Sequence, residues 1–449
     1  MTQNEFRTSR RRLLTIAVAA TAAFTSGALT ACSPPGSDGA NAGSSSPTTV
    51  STEIGSVPIS LTLYDGAGLK AIDDALIAAF RKKHPNVTIT ARFDPDNVQS
   101  VNAPRVLSSD SPPDIARIGA LGETVKSGLL TDLTPWASAY QWEKLPAGQL
   151  AQYKSTPDGV RGAGAQYTVA SGFTVTGFYY NKELLSRLGL SQAPKTPEEF
   201  ETALEKAKAA NLTGIIAGNQ NGQVATSFQF ALNRTVGQDK LNSWIFGQPG
   251  ASIATPDATS AAKTISEWAA KGYINRDTNG TQASDAMGRF ARGEALFFAS
   301  GNWDSAALQK QMGENVGFAL PPAADGKAVA MSDPSSNFGI PAKSKNKDAA
   351  AAFLNFLTSP EARQIAVDNG FAPSGSGEQP TGNGALSTQV QKAFADLVLA
   401  DGQVQYIQNA SNGANAAWTA QIQLLVDGRT TPEDMLKTVQ TQYEQDLGK

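Results

Sequence analysis

Two residue types that dominate enzyme chemistry occur once each in this chain. His84 and Cys32 are the sole histidine and cysteine among 449 residues. That excludes a disulfide scaffold, a Cys/His zinc site within one chain, and any catalytic triad not built on His84. His84 stands in His-Pro-Asn and reads as a turn residue. The 40 Asp+Glu residues leave room for a pair of acids at glycosidase separation, a distance that sequence does not measure. The 37 Lys+Arg give a net charge of −3, so there is no basic excess for a phosphate backbone, and nucleic acid is not an expected partner. Asp94-Pro95-Asp96-Asn97 begins like a calcium loop but lacks its glycine and distal glutamate. Gly66-Ala67-Gly68-Leu69-Lys70-Ala71 fits the G-x-G-x-x-A dinucleotide pattern, with Asp94 as the ribose acid. That acid lies farther along than usual, and an export signal precedes it. No cofactor and no metal are expected.

A site that binds a polar ligand needs planar polar groups and an aromatic platform, and the chain holds candidates for both. Trp303 follows the apolar run Ala295-Leu296-Phe297-Phe298-Ala299 and the turn Ser300-Gly301-Asn302, where a strand's C-terminus meets ligand in open α/β sheets. It either stacks on a ligand ring or packs in the core, and its position after the strand favours stacking. Asp304 would accept two hydroxyls, or it serves as an acid at a helix start. Asp65, Asp94 and Arg117 end the first three strands, while Asn219-Gln220-Asn221 follows a strand at Ile215-Ile216. Each is either a ligand contact or a solvated loop group. Trp136, Trp142, Trp244 and Trp268 read as structural.

The elements that must position these groups alternate along the chain. Val57 to Tyr64, Ile72 to Lys83 and Val87 to Phe93 read as strand, helix, strand in a parallel βαβ unit, followed by a strand at Asp114 to Ile118 and a helix stopped by Gly128. Phe173 to Tyr180 is an aromatic, β-branched strand. Thr196-Pro197, Thr255-Pro256 and Thr431-Pro432 each place a capping threonine before a first-turn proline. Lys347 to Leu357 and Pro360 to Val367 form a helical pair. The length and this alternation predict α/β architecture, with two doubly wound lobes rather than one large domain.

The N-terminus carries Arg7, Arg10, Arg11 and Arg12 and then an apolar run from Leu13 to Leu29. This is the pattern of a cleaved export signal, by the twin-arginine or the general route. Leu29-Thr30-Ala31-Cys32 resembles a bacterial lipoprotein box, so residues 1–31 are expected to be removed and Cys32 acylated. Loss of that segment would take the net charge from −3 to about −6. Residues 32–56 are almost all Ser, Pro, Gly, Thr, Ala or Asn and read as a tether reaching roughly 27 Å. The expected location is the outer face of the cytoplasmic membrane.

Five stretches in order carry a likeness to a family: FRKKHPNV at Phe80 to Val87, Pro113-Asp114-Ile115 before Gly128-Leu129-Leu130, Tyr179 to Leu185, FARGEALFFASGNW at Phe290 to Trp303, and Gly339 to Ser344 leading into Ala349 to Pro360. Residues 57–449 thereby resemble the extracellular solute-binding proteins of ABC importers, in the large sugar-binding group that includes the maltose-binding protein. The resemblance implies two α/β lobes joined by a hinge, residues 57–172 plus 334–385 and residues 173–333 plus 386–449, closing on ligand in the cleft between them. It makes Trp303 the stacking residue, sets Ser335, Ser336 and Asn337 at a lobe crossover, and places Phe173, Asn415 and Trp418 along the cleft, although Trp418 could equally be helix core. It further implies a non-enzymatic monomer that delivers a mono-, di- or oligosaccharide to a membrane permease. A secreted glycan-active enzyme, or a sugar-sensing or adhesion receptor, are the alternatives. Ala67, Gly68, Ile118 and Leu121 depart from the maltose-binding pattern, which leaves the particular sugar open.

Overall fold

The computed structural model describes residues 50–375, 380–411 and 413–448. The export segment, Cys32 and the tether through residue 49 lie outside them. The last residues assigned to the tether are docked: Val50 and Ile54 pack on an apolar core, and the Ser51 N–H donates to Asp348 Oδ1 at 3.2 Å. Two apolar side chains in a polar stretch suffice to bring it onto the protein.

Ile59–Gly66 (β1), Lys70–Lys83 (α1) and Val87–Asp94 (β2) form the βαβ unit, with β1 and β2 parallel from Ile59 opposite Val87 to Gly66 opposite Asp94. The helix buries Ile72, Leu76, Ile77 and Phe80, an apolar stripe at helical spacing. Asp96–Ser108 (α2) leads into Ile115–Arg117 (β3), parallel to the other edge of β1. After Thr168–Ala170 (β4) the chain builds a second sheet from Thr176–Asn181 (β5), Thr213–Ile216 (β6), Ala295–Gly301 (β7) and Val316–Ala319 (β8), in the order β8-β5-β7-β6. Only then does Asn337–Gly339 (β9) return and slot antiparallel between β3 and β4, giving the first sheet the order β2-β1-β3-β9-β4. Both sheets are mixed, because strands that re-enter from the other lobe arrive in the opposite direction. The predicted strand from Phe173 to Tyr180 is broken at Thr174 and Val175, where the chain passes from one sheet to the other.

Each sheet has its own apolar core. Leu61, Phe80, Ile115, Trp136, Trp142, Phe338 and Phe353 pack on the first; Phe178, Phe200, Phe228, Trp244, Ile265, Trp268, Phe297 and Trp418 pack on one face of the second. Tyr179, Phe290, Phe298 and Phe394 cover its other face. Successive residues of β5 and β7 therefore point into different cores, and all of β7 is buried, as an apolar run without alternation requires. The three threonine caps form as expected, accepting from the N–H groups of Glu199, Ala258 and Asp434.

Three crossing segments run side by side between the sheets. Ser171 N–H donates to the Ser336 carbonyl at 2.9 Å and Thr174 N–H to the Asp333 carbonyl at 2.8 Å, while Gly172 and Phe173 pair with Pro373 and Ala372. Among the described residues no helix is long and apolar enough to cross a membrane.

Candidate functional site: a cleft between the two sheets

The C-terminal ends of β1, β3 and β7 open onto a cavity of about 590 Å³ at the crossing segments, the position at which open α/β sheets take ligands. One wall comes from the first lobe: Gly68 and Leu69 after β1, Asp96 at the start of α2, and Arg117 at the end of β3. The opposite wall carries Trp303, Tyr406, Gln408, Asn409 and Asn415, and the crossing segments supply Thr174, Asp333 and Ser335. A second cavity of about 450 Å³ shares Trp303, Tyr406 and Gln408 and extends past Ser300 and Asp304 to Asn221 and Gln223.

Trp303 stands where the two cavities meet and is 50 % exposed, while every other tryptophan is at most 6 % exposed. It lies in the 3-10 turn Asn302–Asp304 between β7 and the helix Ser305–Met312 (α3). Its ring rests on Gly301, where a Cβ would come within 2.1 Å of the indole. Glycine at that point lets an indole lie flat against the chain with a face left open. Asp304 accepts a hydrogen bond from Ser300 Oγ at 2.5 Å, and burial raises its carboxyl above the usual range against the opposing effect of that bond.

Three residues that line the larger cavity hold a buried polar atom, Asp333 Oδ1, Ser335 Oγ and Gln408 Oε1, with no hydrogen-bond partner among the described residues. A buried donor or acceptor left unpaired costs about 1–3 kcal/mol. Asp333 Oδ2 accepts from Asn409 Nδ2. Burial pushes the Asp333 carboxyl up to about 7, despite the nearby Arg161 guanidinium. On the facing wall Arg117 bridges two acids, with Nη1 2.9 Å from Asp96 Oδ1 and 3.4 Å from Asp65 Oδ1.

The G-x-G stretch acquires a different meaning here. Gly68 N–H donates to Asp96 Oδ2 at 3.0 Å, and a Cβ on Gly66 would sit 2.1 Å from Asp96 Oδ1. The glycines admit a carboxylate where a dinucleotide site would offer its N–H to phosphate. Asp94 faces away, accepting from Tyr64 Oη at 2.8 Å and from Arg92, and the tyrosine bond holds it below its usual range. Among the described residues no cluster of three metal-ligating side chains occurs.

Of the candidate ligand contacts named from the sequence, Arg117, Asn221, Trp303, Asp304, Ser335 and Asn415 line the cavities. The others do not. Asp65 is fully buried behind Arg117, held by Ser336 Oγ at 3.1 Å, and Ser336 is buried with it. Asn337 sits in β9 opposite Ala170, with Oδ1 buried and unpaired. Asn219 is buried against Asn279 at 2.7 Å, and Asn221 lines the second cavity instead. Phe173 packs in the core against Phe394, and Trp418 between Phe228 and Trp244, so neither presents a face to the cleft. An aromatic strand start and an apolar helix stripe bury their rings wherever a core is within reach. Thr174, Asp333, Tyr406, Gln408 and Asn409 were not found by sequence reasoning. Asp333 lies two residues before the Ser335-Ser336-Asn337 stretch, so the crossover was the available signal; the turn Ile407–Asn409 carried none.

Residues 66–364 match the family model for bacterial extracellular solute-binding proteins. The multiple sugar-binding protein of Streptococcus mutans is 27 % identical over 333 residues, covering 72 % of this chain and 76 % of that protein. An uncharacterised ABC transporter extracellular-binding protein of Pyrococcus horikoshii is 25 % identical over 420 residues, covering 88 % and 89 %. The solved structure of a family 1 extracellular solute-binding protein from Bifidobacterium longum subsp. infantis superposes with a TM-score of 0.73 at 23 % identity, covering 87 % of this chain and all of that one. Two α/β lobes with a ligand-sized cleft at their crossing, and a family match across more than half of the sequence, place this chain among the bacterial extracellular solute-binding proteins.

Proposed function

We propose that the protein captures a neutral, hydroxyl-rich sugar in the cleft and delivers it to the permease of an ABC importer, while an acyl chain on Cys32 holds it at the outer face of the membrane. In this reading the lobes comprise residues 57–172 plus 334–385 and residues 173–333 plus 386–449. The reading rests above all on one juxtaposition: a half-exposed indole beside three buried, unpaired polar atoms in a single cavity. A sugar offers an apolar C–H face to the first and hydroxyls to the others. Arg117, Asp304 and Asn415 complete the polar rim. The sugar-binding relative and the ABC-transporter relative support the same assignment.

Since the other five tryptophans are buried, ligand-induced change in indole emission reports chiefly on Trp303. Titration of the purified protein against a carbohydrate panel should give a saturable emission change and micromolar binding, about −8 kcal/mol. Trp303→Ala should weaken that binding roughly thirtyfold, by about 2 kcal/mol. Unchanged emission and heat across the panel would overturn the assignment, and full affinity in Trp303→Ala would remove the stacking role. Loss of sugar uptake when the gene is deleted, with Cys32→Ser releasing the protein from membranes, tests delivery and anchoring.

A further inference from the structure

Tyr406, Gln408 and Asn409 line the larger cavity from one short stretch, the 3-10 turn Ile407–Asn409 and the residue before it. The turn's own backbone bonds run from the Asn409 N–H to the Tyr406 carbonyl at 2.9 Å and from the Ala410 N–H to the Ile407 carbonyl at 3.3 Å. Two such bonds shape a turn but do not fix where it lies. Its placement has to come from outside.

The entry to the turn is held by the helix Val224–Thr235: Gln229 Nε2 donates to the Gln405 carbonyl at 2.6 Å, and the Ile407 N–H donates to Gln229 Oε1 at 3.0 Å. Its exit is held from a different part of the chain. Arg161 stands opposite Ser155 in the hairpin that pairs Lys154–Ser155 with Ala165–Gln166 and then runs into β4 of the first sheet. From there Nη2 donates to the Asn409 carbonyl at 2.8 Å and Nη1 to Gln405 Oε1 at 2.8 Å. One planar guanidinium therefore spans both ends of the turn, a reach that its rigid geometry allows.

The guanidinium is itself held in place. It donates to the Ile245 carbonyl and lies 5.5 Å from the Phe246 ring centre, while the Arg161 N–H donates to the Phe246 carbonyl at 2.9 Å. Arg161 lines neither cavity. What it holds does reach the ligand space: Asn409 Nδ2 donates to Asp333 Oδ2, and Tyr406 Oη donates to Thr174 Oγ1 at 3.2 Å on the crossing segment.

We propose that Arg161 is a positioning residue of the ligand site: by spanning Gln405 and Asn409 it sets the turn that presents Tyr406, Gln408 and Asn409 to the cavity and, through Asn409, orients the Asp333 carboxyl. It acts through these residues and does not touch ligand. The effect on affinity rests on the sugar-binding reading above; the ordering of the turn does not.

Two variants and two readouts test this. Arg161→Lys keeps the charge as a point donor without the two-ended span, and Arg161→Met keeps an apolar stem without donors. In the ligand-free protein, hydrogen exchange in peptides covering residues 405–410 should be at least fivefold faster in Arg161→Lys and faster still in Arg161→Met, with β7 unchanged in Arg161→Lys. With galactose, raffinose and maltotriose as probes, affinity for whichever binds should fall at least fivefold in Arg161→Lys and at least twentyfold in Arg161→Met. Thr255→Ala, which removes a distant helix cap, calibrates how much affinity follows a loss of stability alone. Wild-type exchange at the turn in both folded Arg161 variants overturns the proposal, as does affinity in them no lower than in Thr255→Ala. If no probe sugar binds the wild type, the sugar reading is weakened, and the exchange rates still decide whether Arg161 sets the turn.

Discussion

Asp333 combines a cavity position, an unpaired oxygen and a carboxyl raised to about 7 by burial. An acid whose folded value lies above its unfolded value takes up a proton on folding. The stability it permits is complete below its unfolded value of about 4 and is lost as the pH rises toward 7. Asp333→Asn should therefore flatten part of the decline in melting temperature between pH 5 and pH 8, leaving the variant closer to wild type, or above it, at the alkaline end. Equal slopes in the two proteins would refute this. On the proposed sugar-binding reading, a ligand hydroxyl donated to the Asp333 carboxylate would stabilise the ionised form that burial disfavours.

Between strand and helix, the segment from β7 to α3 does the most specific positioning. Gly301 has φ −121° and ψ −178°, an extended conformation open to any residue. The requirement for glycine comes instead from the indole resting on it. Gly301→Ala should leave the backbone undisturbed and displace the half-exposed ring, so that ligand affinity drops about tenfold with little change in unfolding midpoint. A variant that binds normally would show that the ring's seat on Gly301 is immaterial. Distant from the site, Thr255 caps the helix Pro256–Lys271 through the Ala258 N–H at 3.2 Å. Its replacement by alanine should cost about 1 kcal/mol in urea unfolding without altering affinity.

Across the whole molecule, the crossing segments are supplemented by a hairpin. Lys154–Ser155 pairs with Ala165–Gln166, and its tip approaches both lobes. Gly159 and Gly122 lie backbone against backbone, with the Gly159 carbonyl 2.3 Å from where a Gly122 Cβ would be. On the other side Arg161 donates to Gln405 Oε1 at 2.8 Å, to the Asn409 carbonyl at 2.8 Å and to the Ile245 carbonyl, and its guanidinium lies 5.5 Å from the Phe246 ring centre. Removing this half-buried cation leaves several acceptors unpaired, so Arg161→Ala should destabilise the protein by about 3 kcal/mol, read as a lowered denaturation midpoint. Two lobes on crossing segments close by hinge bending. The radius of gyration from small-angle scattering should decrease on adding a sugar that binds, and a constant radius would count against closure.

Periodicity and capping made most of the elements legible. The stripe from Ile72 to Phe80, the threonine-proline helix starts and the apolar β7 depend on neighbours close in sequence, and local spacing is enough to specify them. Trp303 was legible for the same reason, because a strand's C-terminal end is where such sheets open. Charge and the scarcity of histidine and cysteine removed most enzyme classes without any coordinates. Tertiary structure alone decided that β9 lies between β3 and β4, that Trp418 belongs to a core while Trp303 does not, and that Asp65 stands behind Arg117. It also brought Asp333, Ser335 and Gln408 to one cavity. These facts depend on contacts between residues tens to hundreds of positions apart. A solvent-facing group and a buried one of the same type look alike until the chain that covers it is in place.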